Sequence, residues 1–146
     1  MPSLSYCYAH PRPSITADCV ILGIEKHDIK ILLIERKGVP YQHCWALPGG
    51  FLNMDETIEE CARRELEEET GLIINDLQQL GVFSKIDRDP RERVITVAFY
   101  AITDVKKVTG SDDAAKARWF SVKELPPLAF DHQEILNKAL FRLELP

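Results

Sequence analysis

The chain has 146 residues, of which 45% are hydrophobic and 28% charged, the size and balance of one folded domain and not of a disordered polymer. Its net charge of −5 argues against a nucleic-acid partner held by a basic surface. An anionic substrate is not drawn in by such a field, so a bound metal or local arginines must hold it.

Residues 1–14 contain Pro2, Pro11 and Pro13, which predicts an extended arm. Ile15 to Ile24, ITADCVILGI, reads as a largely buried strand. Glu25 to Asp28 is a polar turn, and Ile29 to Glu35 is a second strand, so the two form a hairpin. Arg36 and Lys37 close it, either as an exposed strand end or as phosphate ligands. A loop from Gly38 to His43 follows. Trp45 to Gly50, with Trp45 read as core, ends in two glycines that let the backbone approach a ligand.

Thr57 and Glu60 form a capping box, so a helix begins at about Ile58, and Gly71 is the residue just past its end. Leu72 to Ile86 reads as strand-like with irregular alternation. Asp87 to Arg93 is a charged turn. Val94 to Ile102, VITVAFYAI, is the strongest β signal. Thr103 to Lys116 is a polar loop, and Arg118-Trp119-Phe120 is a short strand. Pro126-Pro127 breaks the chain. Asp131 with Glu134 caps a final helix, whose apolar residues Ile135, Leu136, Ala139, Leu140 and Leu143 recur at helical spacing. Hairpin, helix, strands, helix is an α+β order with a mixed sheet, in one domain over residues 1–146. Cys7, Cys19, Cys44 and Cys61 have neither C-x-x-C nor zinc spacing, and read as reduced thiols of a cytoplasmic protein. We expect no signal peptide and no membrane span.

The chemistry concentrates in the first helix. Glu65, Glu68 and Glu69 sit at i, i+3 and i+4, which puts three carboxylates on one face. Glu67 lies off it. The like charges repel, and they crowd a helix end already negative through the macrodipole, at roughly 0.3–1 kcal/mol each. A solvated acidic face is one account. A divalent cation would reverse both terms, and carboxylate oxygens suit Mg²⁺ or Mn²⁺.

Gly50, Glu56, Arg64, Glu65, Leu66, Glu68, Glu69, Gly71 and Leu72 match the pattern G-x5-E-x7-R-E-U-x-E-E-x-G-U, with U aliphatic, at all nine specified positions. The stretch resembles the Nudix box. The resemblance implies a Nudix hydrolase, which cleaves a nucleoside diphosphate linked to another moiety, and a mixed sheet sandwiched between helices. It implies Glu65, Glu68, Glu69 and the Gly50 carbonyl as metal ligands. Arg64 is expected to pair with box carboxylates and fix the loop. Family members take their general base from a box glutamate or from an acid on a later loop. Here the later-loop candidates are Asp112 and Asp113, Asp113 being the preferred one, and the alternative is a simple turn after Gly110.

The segments RPSITADCVI, DRDPRERVITVAFYAI and LAFDHQEIL resemble the ADP-ribose pyrophosphatase branch, implying Mg²⁺-dependent conversion of ADP-ribose to AMP and ribose 5-phosphate. Arg88, Arg91 and Arg93 are candidates for phosphate or ribose contacts, with Arg88 and Arg93 preferred, against a solvated hairpin tip. Phe130 and His132 are candidates to flank a base or terminal ribose. The branch also includes transcription regulators with a winged helix and often a degraded box. The intact box here, in a chain that stops at Pro146, points to catalysis. A different Nudix substrate and a non-catalytic ADP-ribose sensor are the alternatives. The resemblance also implies a homodimer, with which the proline-bearing arm is compatible.

Overall fold

The computed structural model describes residues 5–108 and 116–146. Seven strands form one sheet: β1 (Ser14–Glu25), β2 (Asp28–Glu35), β3 (Trp45–Ala46), β4 (Gly49–Phe51), β5 (Gln78–Phe83), β6 (Val94–Thr103) and β7 (Ala117–Ser121). Helix α1 (Ile58–Thr70) and helix α2 (His132–Arg142) complete the described fold. The central path runs β3-β2-β1-β6-β5, with β4 paired to β1 and β7 paired to β2.

The expected hairpin is present. β1 and β2 are antiparallel, and Lys26 and His27 both take positive φ, the backbone of a tight two-residue turn. β1 runs parallel to β6 from Ser14 opposite Val94 to Gly23 opposite Thr103. Both of its faces are covered, which explains its nearly unbroken apolar run. Ala17, Cys19 and Ile21 pack with Cys61, Ala62 and Leu66 of α1. Val20 and Leu22 pack on the other side with Ile135, Leu136 and Ala139 of α2. The sheet is therefore sandwiched between two helices in a mixed α+β fold.

Helix α1 begins at Ile58 with both halves of the capping box made, and ends at Gly71, which lies in the left-handed region at φ 79°. Trp45 belongs to the core, as expected. Two readings need correction. Regular strand within Leu72–Ile86 is confined to Gln78–Phe83, with a register shift at Leu80. Trp45–Ala46 and Gly49–Phe51, to which the sequence assigns no element, are short strands. Asp131 stands at the N-terminus of α2 but makes no side-chain cap. Its carboxylate instead accepts two hydrogen bonds from Arg88, which outweigh one neutral N–H donor. Residues 5–13 have no regular structure and are exposed, as the prolines suggested.

Leu66 is fully buried beneath the sheet. Leu66→Ala is expected to cost roughly 2–5 kcal/mol of folding stability, read by urea denaturation.

Candidate active site

The two glycines before α1 set the geometry. Gly50 faces Ala17 and Gly49 faces Asp18 in the antiparallel β4–β1 ladder. A Cβ on Gly49 would strike the Ala17 carbonyl oxygen and come within 2.6 Å of Asp18 Oδ1. A Cβ on Gly50 would lie 2.5 Å from the Glu65 carboxyl carbon. Glycine at both positions lets β4 close on β1 and lets a helix carboxylate lie against the loop backbone.

Arg64 ties this loop to the helix. It donates to both carboxylate oxygens of Glu56, at 2.9 and 2.7 Å. It also reaches Glu65 Oε1 at 2.8 Å, Glu68 Oε2 at 3.3 Å and the Phe51 carbonyl at 3.2 Å. The Arg64 hydrogen bonds hold the Glu56 carboxyl down at about 2. Glu56 in turn raises the Arg64 guanidinium above its usual range. This is the pairing expected of Arg64.

The three helix carboxylates are not equivalent. Glu68 is exposed and Glu65 half-buried. Burial pushes the Glu65 carboxyl above the usual carboxylate range, against the pull of Arg64. Glu69 faces a cavity of about 220 Å³ and accepts the Gly49 N–H at 2.7 Å. Burial pushes it up to about 8, and the negative charges of Glu65, Asp18 and Glu68 add to the rise.

Among the described residues, no three His, Cys, Asp or Glu side chains are already gathered as a metal cage. The donor chemistry nevertheless fits a hard divalent cation. Glu65 lies against Gly50 and Glu69 accepts the Gly49 N–H, so hard carboxylate oxygens meet at this backbone and crowd like charge that a cation would relieve.

Arg36, Arg88 and Arg91 line the same cavity. Arg88 is buried and pinned by Asp131 Oδ2 and Oδ1 at 3.0 and 2.7 Å. Arg91 is held by Asp89 through its Nε at 3.1 Å and its Nη2 at 2.8 Å. Arg36 donates to the Pro40 carbonyl at 2.9 Å. Burial, with Arg91 as a neighbouring cation, lowers the Arg36 pKa. Arg93 is not part of this group; its guanidinium caps the Ser84 and Lys85 carbonyls. Of the preferred pair Arg88 and Arg93, the cavity lining includes Arg88 and not Arg93, and it includes Arg91.

Phe130 and His132 are both brought to the cavity, with ring centroids 5.5 Å apart. Arg36 and Arg91 stand 4.9 and 5.6 Å from the Phe130 centroid, and Arg91 stands 5.7 Å from that of Phe51. Asp112 and Asp113 lie outside the described residues. Sequence reasoning missed Asp18, Asp89 and Asp131. The signal for Asp18 was there, as an acid inside the apolar run ITADCVILGI. Nothing in the sequence separated Asp89 and Asp131 from turn and cap residues.

Two outcomes follow. Arg64→Ala strands Glu56 and is expected to cost about 1–3 kcal/mol, measured by chemical denaturation. Glu69 holds its proton more tightly folded than unfolded, so the native state binds more protons and stability falls as pH rises toward 8. A melting-temperature series from pH 6.5 to 8 in EDTA should therefore slope downward, and Glu69→Gln should flatten it.

The sequence matches the NUDIX domain family over residues 12–140. It is 45% identical over 130 residues to an ADP-ribose pyrophosphatase of Methanocaldococcus jannaschii, covering 89% of this chain and 73% of that protein. It is 33% identical over 139 residues to the ADPR responsive transcriptional repressor NtrR of Acinetobacter baylyi, covering 92% of this chain but 56% of the repressor. The NUDIX domain of Shewanella oneidensis NrtR, solved in complex with ADP ribose, superposes with a TM-score of 0.87 at 28% identity over 92% of this chain and 91% of that one. A MutT/nudix family protein from Enterococcus faecalis also gives 0.87, at 36% identity over 96% of this chain and 65% of its own. On this match of sequence and fold, the chain belongs to the NUDIX domain family and is a Nudix hydrolase.

Proposed function

We propose that the protein hydrolyses the diphosphate bridge of ADP-ribose, giving AMP and ribose 5-phosphate. One observation carries the reading: a single cavity joins the box backbone and Glu69 on one side to Arg36, Arg88 and Arg91 on the other. A diphosphate needs both, a carboxylate-held cation and fixed guanidinium donors. The similarity to the archaeal pyrophosphatase supports the choice of nucleotide.

Glu65, Glu68, Glu69 and the Gly50 carbonyl would hold Mg²⁺, with Mn²⁺ as a substitute. That cation would polarise phosphoryl oxygens and lower the pKa of bound water. Arg36 and Arg91 would bind the phosphates, and their contacts to Phe130 would keep both guanidinium planes facing the cavity. Arg88, fixed by Asp131, would orient the substrate from below. The Gly49 N–H would steady Glu69. Arg64 would keep Glu56 and the loop in place without touching substrate. Asp113 is the proposed general base, and Asp113→Asn should remove the acidic limb of the pH–rate profile, where that base would take up a proton.

No described helix is long and apolar enough to cross a membrane. A cytoplasmic site of action, a homodimer and the absence of a nucleic-acid partner belong to the same proposal. The repressor among the relatives makes a non-catalytic sensor the second reading. The intact box glutamates favour turnover.

ADP-ribose with Mg²⁺ should yield AMP and ribose 5-phosphate, read by chromatography and phosphate release after phosphatase treatment. Binding of ADP-ribose without hydrolysis would establish the sensor. Glu69→Gln should lower kcat by at least about a hundredfold, the scale of losing a group that stabilises transition-state charge. Full Mg²⁺-dependent turnover in that variant would refute its role.

A further inference from the structure

Two buried side chains of the cavity carry polar atoms that no protein group takes up. Asp18 is 7% exposed and His132 4%. Both line the cavity. His132 Nδ1 accepts the Leu47 N–H at 3.0 Å, so the neutral ring carries its proton on Nε2. Burial lowers the His132 pKa and keeps the ring neutral. Asp18 Oδ2 accepts the Thr96 hydroxyl at 2.7 Å.

What is left over is one donor, His132 Nε2–H, and one acceptor, Asp18 Oδ1, 3.7 Å apart. That separation is beyond hydrogen-bond range. Among the described residues no fully enclosed side-chain nitrogen or oxygen lacks a partner, so both atoms keep access to the cavity. A ligand that covers the two atoms without bonding to them would leave both unpaired and desolvated, which is costly. A hydroxyl group both donates and accepts, and its oxygen can reach two atoms at this spacing. Adjacent hydroxyls of a diol fit equally, one to each atom. A phosphate oxygen does not fit, because the carboxylate would repel it.

The geometry points to a hydroxyl-recognition subsite in which Asp18 and His132 bind a ribose of the substrate and so select nucleoside diphosphates carrying that sugar. The inference rests on the proposed function, since it takes the substrate to be a diphosphate joined to ribose. The hydroxyl could come from the terminal ribose or from that of the adenosine. Both present the same chemistry. Asp18 and His132 are specificity-determining binding residues here, not catalytic ones.

Equilibrium binding by calorimetry in EDTA tests this without turnover. The probes are ADP-ribose, the methyl ester of ADP, which lacks the terminal ribose, and the 2′-deoxyadenosine counterpart of ADP-ribose. The wild-type chain should bind ADP-ribose about tenfold more tightly than one of the two deficient probes, the scale of one hydrogen-bonded hydroxyl. The probe that loses affinity identifies the ribose. His132→Asn keeps an oxygen for the Leu47 N–H but lacks the Nε2–H, and should abolish that difference. Asp18→Asn, similar in shape but uncharged, should narrow it.

Equal wild-type affinity for all three probes would overturn the inference, as would a His132→Asn chain that weakens all three by one factor. The wild-type comparison decides even where a variant fails to fold. ADP-ribose bound with the predicted preference yet not hydrolysed after Mg²⁺ is added would refute the activity and leave the subsite standing. Hydrolysis with equal affinities would do the reverse.

Discussion

Everything at the candidate site depends on holding several carboxylates together at the negative end of a helix. Glu65, Glu68 and Glu69 occupy the last turns of α1, where the macrodipole and mutual repulsion both oppose them. Two devices inside the protein offset part of this. Arg64 neutralises Glu56 and grips Glu65 and Glu68. The Gly49 N–H is aimed at Glu69. Burial, with the neighbouring negative charges adding to it, still leaves Glu69 favouring its proton near neutral pH. A site tuned this way has an unmet demand for positive charge, and the cavity beside it is where that charge can arrive.

The same constraint shapes the backbone. Gly50 leaves room for the Glu65 carboxylate and Gly49 for the backbone of β1, so both glycines answer to contact and not to turn geometry. Their strand pairs with the start of β1, while β2 pairs with its far end. The cavity is bordered by that start of β1, by Ala46 and Leu47 just before β4, and by the N-terminus of α2. Thr16 and Asp18 continue the face of β1 that carries Val20 and Leu22 toward α2, so an alternation that builds core along most of the strand places an acid at the cavity.

The overall charge of −5 opposes an anionic substrate, and the structure answers locally. Three arginines converge on one cavity, and two of them are oriented by acids, Arg88 by Asp131 and Arg91 by Asp89. These acids cost net charge but hold the guanidinium groups in one arrangement, which matters for bidentate binding. The diverted Asp131 shows the trade: a helix cap is given up for a buried ion pair.

Whatever is set by near neighbours could be read from the residues alone. The α1 boundaries, its capping box, the line of carboxylates and the Arg64 clasp follow from spacing along one helix. The hairpin and the strength of Val94–Ile102 follow from alternation and composition. The sequence by itself thus determined the family, the mixed α+β fold and the candidate metal-binding face. Only the tertiary structure decided that β1 lies parallel to β6, that Arg91 and not Arg93 reaches the cavity, and that Asp18 meets His132 more than a hundred residues along the chain. The physical reason is that helical period and turn chemistry act over a few residues. Contacts between distant segments depend on strand register and on which face of the sheet each helix covers, and no local pattern records either.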